Sequence, residues 1–206
     1  MKSIAALLLE TGAVLLRPTE PFTWASGWRS PIYCDNRLVL SYPSARRAVA
    51  DALAQKVKDV YPTAGAVAGV ATAGIPQGAL VAERLELPFL YVRAKAKEHG
   101  RGNQVEGRIV PGQAVAVIED LVSTGGSSLA AVQALAAEGA AVAGLLCVFT
   151  YGFAQATEAF ATAGVAFAAL ADYNDLLAVA QQQGRFSADE LASLAAWRQN
   201  PAAWGR

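Results

Sequence analysis

Cysteine is scarce in this sequence, charge of the two signs is balanced, and no apolar run is long. Across 206 residues only Cys34 and Cys147 occur, both among apolar neighbours, so neither a disulfide framework nor a multi-cysteine zinc site is available. A reducing cytoplasm suits such a chain. The formal net charge is +0, which argues against a protein whose main work is to coat nucleic acid or anionic membrane, because that work needs a large basic surplus. Any anion site must be local, and neither nucleic acid nor membrane is an expected partner. The most continuous apolar run, residues 140–149, is about half the length that a membrane span requires and reads as a buried strand. There is no internal repeat and no low-complexity linker, although alanine is abundant.

What is present suits one globular domain with a small appendage: 54% of the side chains are hydrophobic and 17% charged. The start places Lys2 before the short apolar run from Ile4 to Leu9, a faint likeness to a signal peptide, but Glu10 interrupts it. The segment continues through Val14, Leu15 and Leu16 without a small-residue cleavage site, which predicts an amphipathic helix of the mature protein. Residues 44–59 read as a helix capped by Ser44 after Pro43, with Ala48, Val49, Ala52, Leu53 and Val57 at helical spacing. From there, short apolar strands are expected at 64–70, 88–92, 113–118, 143–150 and 166–171, most without the polar alternation of half-exposed strands. Helical stretches fall between most of them, the clearest over 127–138, with serines at its start and Gly139 at its end. The last thirty or so residues also look helical. This alternation implies an α/β fold with a mainly parallel sheet flanked by helices, whose ligands bind beyond the carboxyl ends of the strands. Residues 1–43, rich in Pro, Trp, Ser and Gly, stand outside the alternation and are expected to form a small N-terminal hood on a core over 44–206.

Three of the loops carry chemistry. In the stretch 114–127 a hydrophobic strand leads to Glu119 and Asp120, then through Leu121 and Val122 to Ser123, Thr124, Gly125, Gly126 and Ser127, where a helix opens. A glycine-rich turn at a helix start suits a phosphate, because the backbone can approach closely and the first helical N–H groups and the helix dipole favour an anion. Paired carboxylates suit the two hydroxyls of a sugar and a hydrated Mg²⁺. A phosphorylated sugar satisfies both halves. The bland alternative, a capped helix after a core strand with two solvated acids, leaves the arrangement as a whole unexplained.

The second segment runs from Arg93 to Gly102, where Arg93, Lys95, Lys97, His99 and Arg101 occupy every odd position. In an extended chain these five would project from one face, a cationic comb suited to closing on a polyanion. Taken alone, it reads equally as a solvated charged loop. The comb lacks the aromatic interleaving of a nucleic-acid surface. The third segment, from Gly69 to Pro76, has the glycine spacing of a nucleotide P-loop but lacks its Lys-Ser/Thr pair, since Ile75-Pro76 follows. Its backbone could hold a pyrophosphate or could be a plain strand-to-helix turn.

The stretch 114–127 resembles the motif by which type I phosphoribosyltransferases bind 5-phosphoribosyl-1-pyrophosphate (PRPP). That resemblance assigns Glu119 and Asp120 to the ribose 2′- and 3′-hydroxyls, and Ser123 to Ser127 to a cradle for the 5′-phosphate, with Leu121 and Val122 in the same PRPP-binding run. Together with residues 22–37, which contain Ser26-Gly27-Trp28-Arg29-Ser30-Pro31, the three segments resemble the orotate phosphoribosyltransferases over nearly the whole chain. The order matches too: a base-binding N-terminal segment, a pyrophosphate loop, a basic closing loop, then the PRPP motif. The resemblance implies an α/β type I phosphoribosyltransferase fold, transfer of the phosphoribosyl group of PRPP to N1 of orotate with loss of pyrophosphate, Mg²⁺ as cofactor held through PRPP and water, and a homodimer. It further implies that Arg93, Lys97 and His99 are catalytic, that these and Lys95 bind PRPP, and that Ser123 contacts orotate.

Departures from the family pattern are equally specific. The loop's second basic place, which in the family reaches across the dimer interface, falls on Ala94, with Lys95 one position late. Two further lysines of many relatives correspond to Ala25 and Ala73, and the Asp-Arg pair after the fourth strand is replaced near Thr150-Tyr151. A branch of the family shares the Thr-Ala-Gly-Ile and Phe-Thr-Tyr variants, so they read as lineage differences. They leave the partner of the orotate carboxylate unassigned, with Arg29 the one residue suggested for it.

Overall fold

Ser3 accepts a hydrogen bond from the Ala6 N–H and so starts the first helix, α1 (Ile4–Glu10). Thr11 ends it by turning its hydroxyl back onto the Leu7 carbonyl, and Gly12 reverses the chain at φ +71°. Val14, Leu15 and Leu16 therefore leave the helix as a strand, β1 (Val14–Leu16), instead of prolonging it as their apolar character predicts. These observations come from a computed structural model that describes residues 2–24, 27–95 and 104–204. Two short hairpin-like pairings follow. β2 (Phe22–Thr23) pairs antiparallel with β3 (Arg29–Ser30), and β4 (Ile32–Cys34) pairs antiparallel with β1. A 3₁₀ turn over Asn36–Ser41 is capped by Asp35, whose carboxylate Arg37 holds through Nε at 2.6 Å and Nη2 at 2.8 Å.

The chain divides into two compact units, one of Met1–Arg46 with Ala171–Arg206 and the other of Arg47–Leu170. The helix α2 (Pro43–Val60) opens on Pro43 itself, so Ser44 lies inside the first turn and is not its cap. Proline suits that position, where its missing N–H has no intrahelical partner to lose. There follow β5 (Ala66–Val70), α3 (Gly74–Leu85), β6 (Phe89–Val92), β7 (Val105–Glu106), β8 (Ala114–Val122), α4 (Gly126–Ala137), β9 (Ala141–Thr150), α5 (Ala154–Thr162) and β10 (Phe167–Asp172). One sheet has the order β10-β9-β8-β5-β6-β7. β5 runs parallel to β6 and β8, β8 runs parallel to β9, and β7 returns antiparallel on the edge beside β6. The sequence-based strands are thus all present, in a mixed, mostly parallel sheet.

All five residues of β5 are buried, which is why its sequence shows no alternation. Val115 and Val117 of β8, Leu90 and Val92 of β6, Leu145 and Cys147 of β9 and Leu135 of α4 share one apolar cluster. Each such side chain contributes on the order of 1.5–3 kcal/mol when fully buried. Tyr61, just after α2, lays its ring where a side chain at Gly144 would stand; a Cβ there would lie 2.2 Å from the ring. Its hydroxyl reaches the Leu145 carbonyl at 2.8 Å and the Ala166 carbonyl at 3.1 Å. The β8–β9 register shifts at this place, between Val115 and Ala116.

The structure moves two expected boundaries. β8 does not stop at residue 118 but keeps pairing through Glu119↔Cys147, Leu121↔Phe149 and Val122↔Thr150, so the two acids lie within the strand. Strand β9 is long enough to give those backbone groups partners. The helix α4 begins at Gly126, with Gly125 as its N-cap at φ +86°, and no serine side chain caps it. Glycine is required at 125 twice over: the left-handed conformation favours it, and a Cβ would press on the Phe160 ring at 3.0 Å. At the other end Gly139 (φ +90°) closes the helix as expected. The C-terminal helices are α6 (Tyr173–Gln182) and α7 (Ala188–Gln199), opened by capping boxes of Asp172 with Asp175 and Ser187 with Glu190. Trp197 is buried between Trp24, edge-on at 5.6 Å, and Tyr173 at 5.3 Å.

Candidate active site

Because β5, β6 and β8 are parallel, the turns that follow them open on one edge of the sheet, where ligands of such folds bind. The segment after β5 is pressed against the sheet by three glycines. A Cβ at Gly69 would lie 2.6 Å from the Gly74 carbonyl, one at Gly74 would lie 2.6 Å from the Ile118 carbonyl, and one at Gly78 would lie 2.9 Å from the Phe89 ring. The start of α3 thus packs directly on β5 and β8, and the turn of Ala71, Thr72 and Ala73 is held beside Glu119.

Glu119 and Asp120 are adjacent residues of the strand, and their carboxyl groups are hydrogen-bonded to each other. Glu119 is buried, while Asp120 is half-exposed. Oε1 of Glu119 accepts the Asp120 backbone N–H at 3.0 Å, and Oε2 accepts the Ser128 hydroxyl at 3.3 Å. Burial pushes the Glu119 carboxyl up to about 9, and the charge of Asp120 and the hydrogen bond between the two side chains add to the effect, against the opposing pull of the Asp120 N–H and the Ser128 hydroxyl. In the ligand-free protein Glu119 therefore favours its neutral form near pH 7. Beyond the acids, Leu121 and Ser123 are half-buried and Val122 is buried, whereas Thr124, Gly126 and Ser127 are exposed. The exposed turn and the first N–H groups of α4 form the kind of cradle that receives an anion at a helix start.

The basic loop rises from a closed stem. Tyr91 pairs with Glu106 and Val92 with Val105. Beyond them the Arg93 N–H donates to the Gln104 carbonyl at 2.9 Å, and Gln104 Nε2 donates to the Arg93 carbonyl at 2.8 Å. The Arg93 guanidinium lies 3.8 Å from Glu106. Ala94 and Lys95 are exposed. Lys97 and His99 lie outside the described residues, as do Ala25 and Ser26 of the N-terminal segment. Within that segment Ser30 is buried, its hydroxyl donating to the Ile32 carbonyl at 2.9 Å, and Arg29 is exposed on β3.

Some of the site's supports are not singled out by sequence reasoning. Ser128 is one; its neighbour Ser127 looks identical in sequence, and only the helix phase separates them. Thr150 is another: its hydroxyl donates to the Val122 carbonyl at 3.0 Å and accepts the Gly152 N–H at 3.1 Å, bracing the end of β8. At the end of β9, where the family resemblance expects an Asp-Arg pair, an aromatic column stands, with Phe149 edge-on to Tyr151 at 5.4 Å and Tyr151 stacked on Phe153 at 5.5 Å.

Comparison with known proteins decides the family. Residues 39–160 match the family model described as the phosphoribosyl transferase domain. Over 202 residues, 98% of either chain, the sequence is 55% identical to the orotate phosphoribosyltransferase of Bacillus caldolyticus. This chain belongs to the orotate phosphoribosyltransferase family. A second member, from Listeria monocytogenes serotype 4b, is 50% identical over 205 residues, covering 100% of this chain and 98% of that one. Among solved structures, the family member from Aeropyrum pernix aligns with a TM-score of 0.76 and 33% identity over 89% of this chain and 99% of that one. The family's type I phosphoribosyltransferase fold is the sheet and helix order described above. Among the described residues no helix is long and apolar enough to cross a membrane.

Proposed function

We propose that this chain catalyses displacement of pyrophosphate from PRPP by N1 of orotate, yielding orotidine 5′-monophosphate. The observation that carries this reading is the end of β8, where a carboxylate pair passes into an exposed glycine-rich turn and a helix start, with the glycine-tight turn after β5 alongside. In this reading Asp120, the more accessible acid, and Glu119, through its remaining lone pairs, accept hydrogen bonds from the ribose hydroxyls. Ser123 to Ser127 hold the 5′-phosphate, chiefly through backbone N–H groups, and Ser123 also touches orotate. The turn 71–74 receives the pyrophosphate.

The reaction needs no nucleophilic side chain, because orotate attacks the anomeric carbon as the leaving group departs. Positive charge grows on the ribose ring and negative charge on the pyrophosphate. Arg93, Lys95 and Lys97 neutralise the latter, His99 donates a proton or hydrogen bond to it, and closure of the loop excludes water that would hydrolyse PRPP. The stem of Arg93 and Gln104 gives that loop a fixed base.

Among the described residues no three His, Cys, Asp or Glu side chains stand close enough to hold a metal by themselves. In this reading a hydrated Mg²⁺ would arrive with the PRPP polyanion, and Asp120, half-exposed at the end of β8, would help to hold it through water. Mg²⁺ so bound would neutralise diphosphate charge. We further assign residues 1–43 to a base-binding hood, the working unit to a homodimer and the compartment to the cytoplasm, where Cys34 and Cys147, which form no disulfide, remain reduced. Neither nucleic acid nor membrane enters the reading.

The test is direct. The protein is incubated with PRPP, Mg²⁺ and orotate, and loss of the orotate absorbance band is followed together with pyrophosphate release. Consumption of another base in place of orotate overturns the substrate assignment, and binding of nucleic acid without turnover overturns the enzymatic one.

A further inference from the structure

Glu119 is held close by groups from three elements, β8, α4 and the start of α3. It is 5% exposed, and Ser128, the residue bound to its Oε2, is 2% exposed. The Asp120 N–H takes Oε1, and a Cβ at Gly74 would stand 3.4 Å from that same oxygen. The carboxyl group is therefore gripped from β8 itself and from the first turn of α4, while the start of α3 fills the space into which it could otherwise swing.

The partners of this grip lie on the two halves of the substrate site. Glu119 belongs to the strand end read as the sugar half, and Ser128 to the helix start read as the phosphate half. Ser127 and Ser128 differ by one step of the helix, about 100° of rotation, and that step sends Ser127 to the surface and Ser128 under the cradle. A hydroxyl this deeply buried costs stability unless it is bonded, and the bond it makes is to Glu119.

We infer that Ser128 is a positioning residue for PRPP: acting through Glu119, its hydroxyl sets the acid's orientation toward the ribose and ties the first turn of α4 to it. Sugar and phosphate subsites then move as one body, so the spacing between them is fixed before the substrate arrives. The inference rests on the reading in which Glu119 contacts the ribose.

The experiment is a double-mutant cycle of Ser128→Ala and Glu119→Ala, read as the PRPP dissociation constant by direct calorimetric titration with Mg²⁺ present, with thermal melting of each variant as the check on folding. Ser128→Ala alone is expected to weaken PRPP binding about tenfold, the loss of one hydrogen bond to an acidic group, with orotate binding unchanged. In the Glu119→Ala background the same substitution should change PRPP affinity less than twofold, because the group through which it acts is gone. Ser128→Thr, which keeps the hydroxyl, should recover most of the loss. If Ser128→Ala does not fold, Ser128→Cys, near-isosteric but a weak donor, takes its place in the cycle.

Independent, additive losses from the two sites would overturn the inference, as would a Ser128→Ala protein that binds PRPP normally or loses PRPP and orotate affinity in equal measure. A Glu119→Ala protein with normal PRPP affinity would instead overturn the ribose role of Glu119, which is a distinguishable failure.

Discussion

Glu119 and Asp120 share a peptide bond but live in different media, one closed in by Gly74 and Ser128, the other half-open to solvent. The difference has two measurable consequences. In the proposed mechanism Asp120→Asn keeps the shape and removes charge where the ribose ring would turn positive, so PRPP use should fall sharply. Ser127→Ala removes one hydroxyl from a cradle built largely of backbone N–H groups and should cost roughly 1 kcal/mol. Steady-state kinetics with PRPP as the varied substrate settles the order; the reverse order would mean that the division into sugar and phosphate halves is wrong. The second consequence concerns pH. The Glu119 carboxyl titrates at about 9 in the folded protein against an ordinary 4.5, so between those values the folded chain holds a proton that the unfolded chain has released. Its contribution to stability is complete below about pH 4.5 and is lost as pH rises toward 9. Ligand-free protein should unfold at progressively lower urea concentration over that window, and Glu119→Gln should flatten the slope.

At the scale of elements, the described ends of the basic segment form a closed stem. The antiparallel β6–β7 pair and the reciprocal bonds between Arg93 and Gln104 fix where the loop leaves and returns. In the proposed mechanism Lys97 acts on charge that develops only at the leaving group. Lys97→Ala should lower kcat on the order of 100- to 1,000-fold, about 3–4 kcal/mol, with little change in orotate affinity. Near-normal turnover in that variant would remove Lys97 from the mechanism. The same scale explains which elements can be read from sequence. Strands β5, β8 and β9 announce themselves because burial on both faces leaves unbroken apolar runs. The ends of β8 and α1 do not, because they depend on a partner. β8 continues past its acids only because β9 is there to pair, and Val14–Leu16 become strand only because Ile32–Cys34 lie beside them.

At the scale of the whole molecule, the proposed homodimer would have Ala94 at the place where the family resemblance expects a basic residue reaching across the interface, with Lys95 one position late. If the loop works across a dimer, a mixture of a Lys97→Ala chain and an Asp120→Asn chain, each inactive alone, should recover activity once subunits exchange. Sedimentation in parallel gives the second reading, since a fully active monomer would overturn the requirement for a dimer.

Composition and order of the chain by themselves determined the fold class and the family likeness, because these rest on local patterns: apolar runs, glycine at turns, and acids next to hydroxyls. Tertiary structure alone decided which of two adjacent acids is buried, which of two adjacent serines supports it, and that residues 1–46 group with 171–206 around Trp197. It also decided that Tyr61 replaces the side chain Gly144 lacks. The physical reason is the same in each case. Burial and hydrogen-bond partnership are properties of pairs of groups brought together by the fold, and residues distant along the chain carry no mark of one another until packing makes them neighbours.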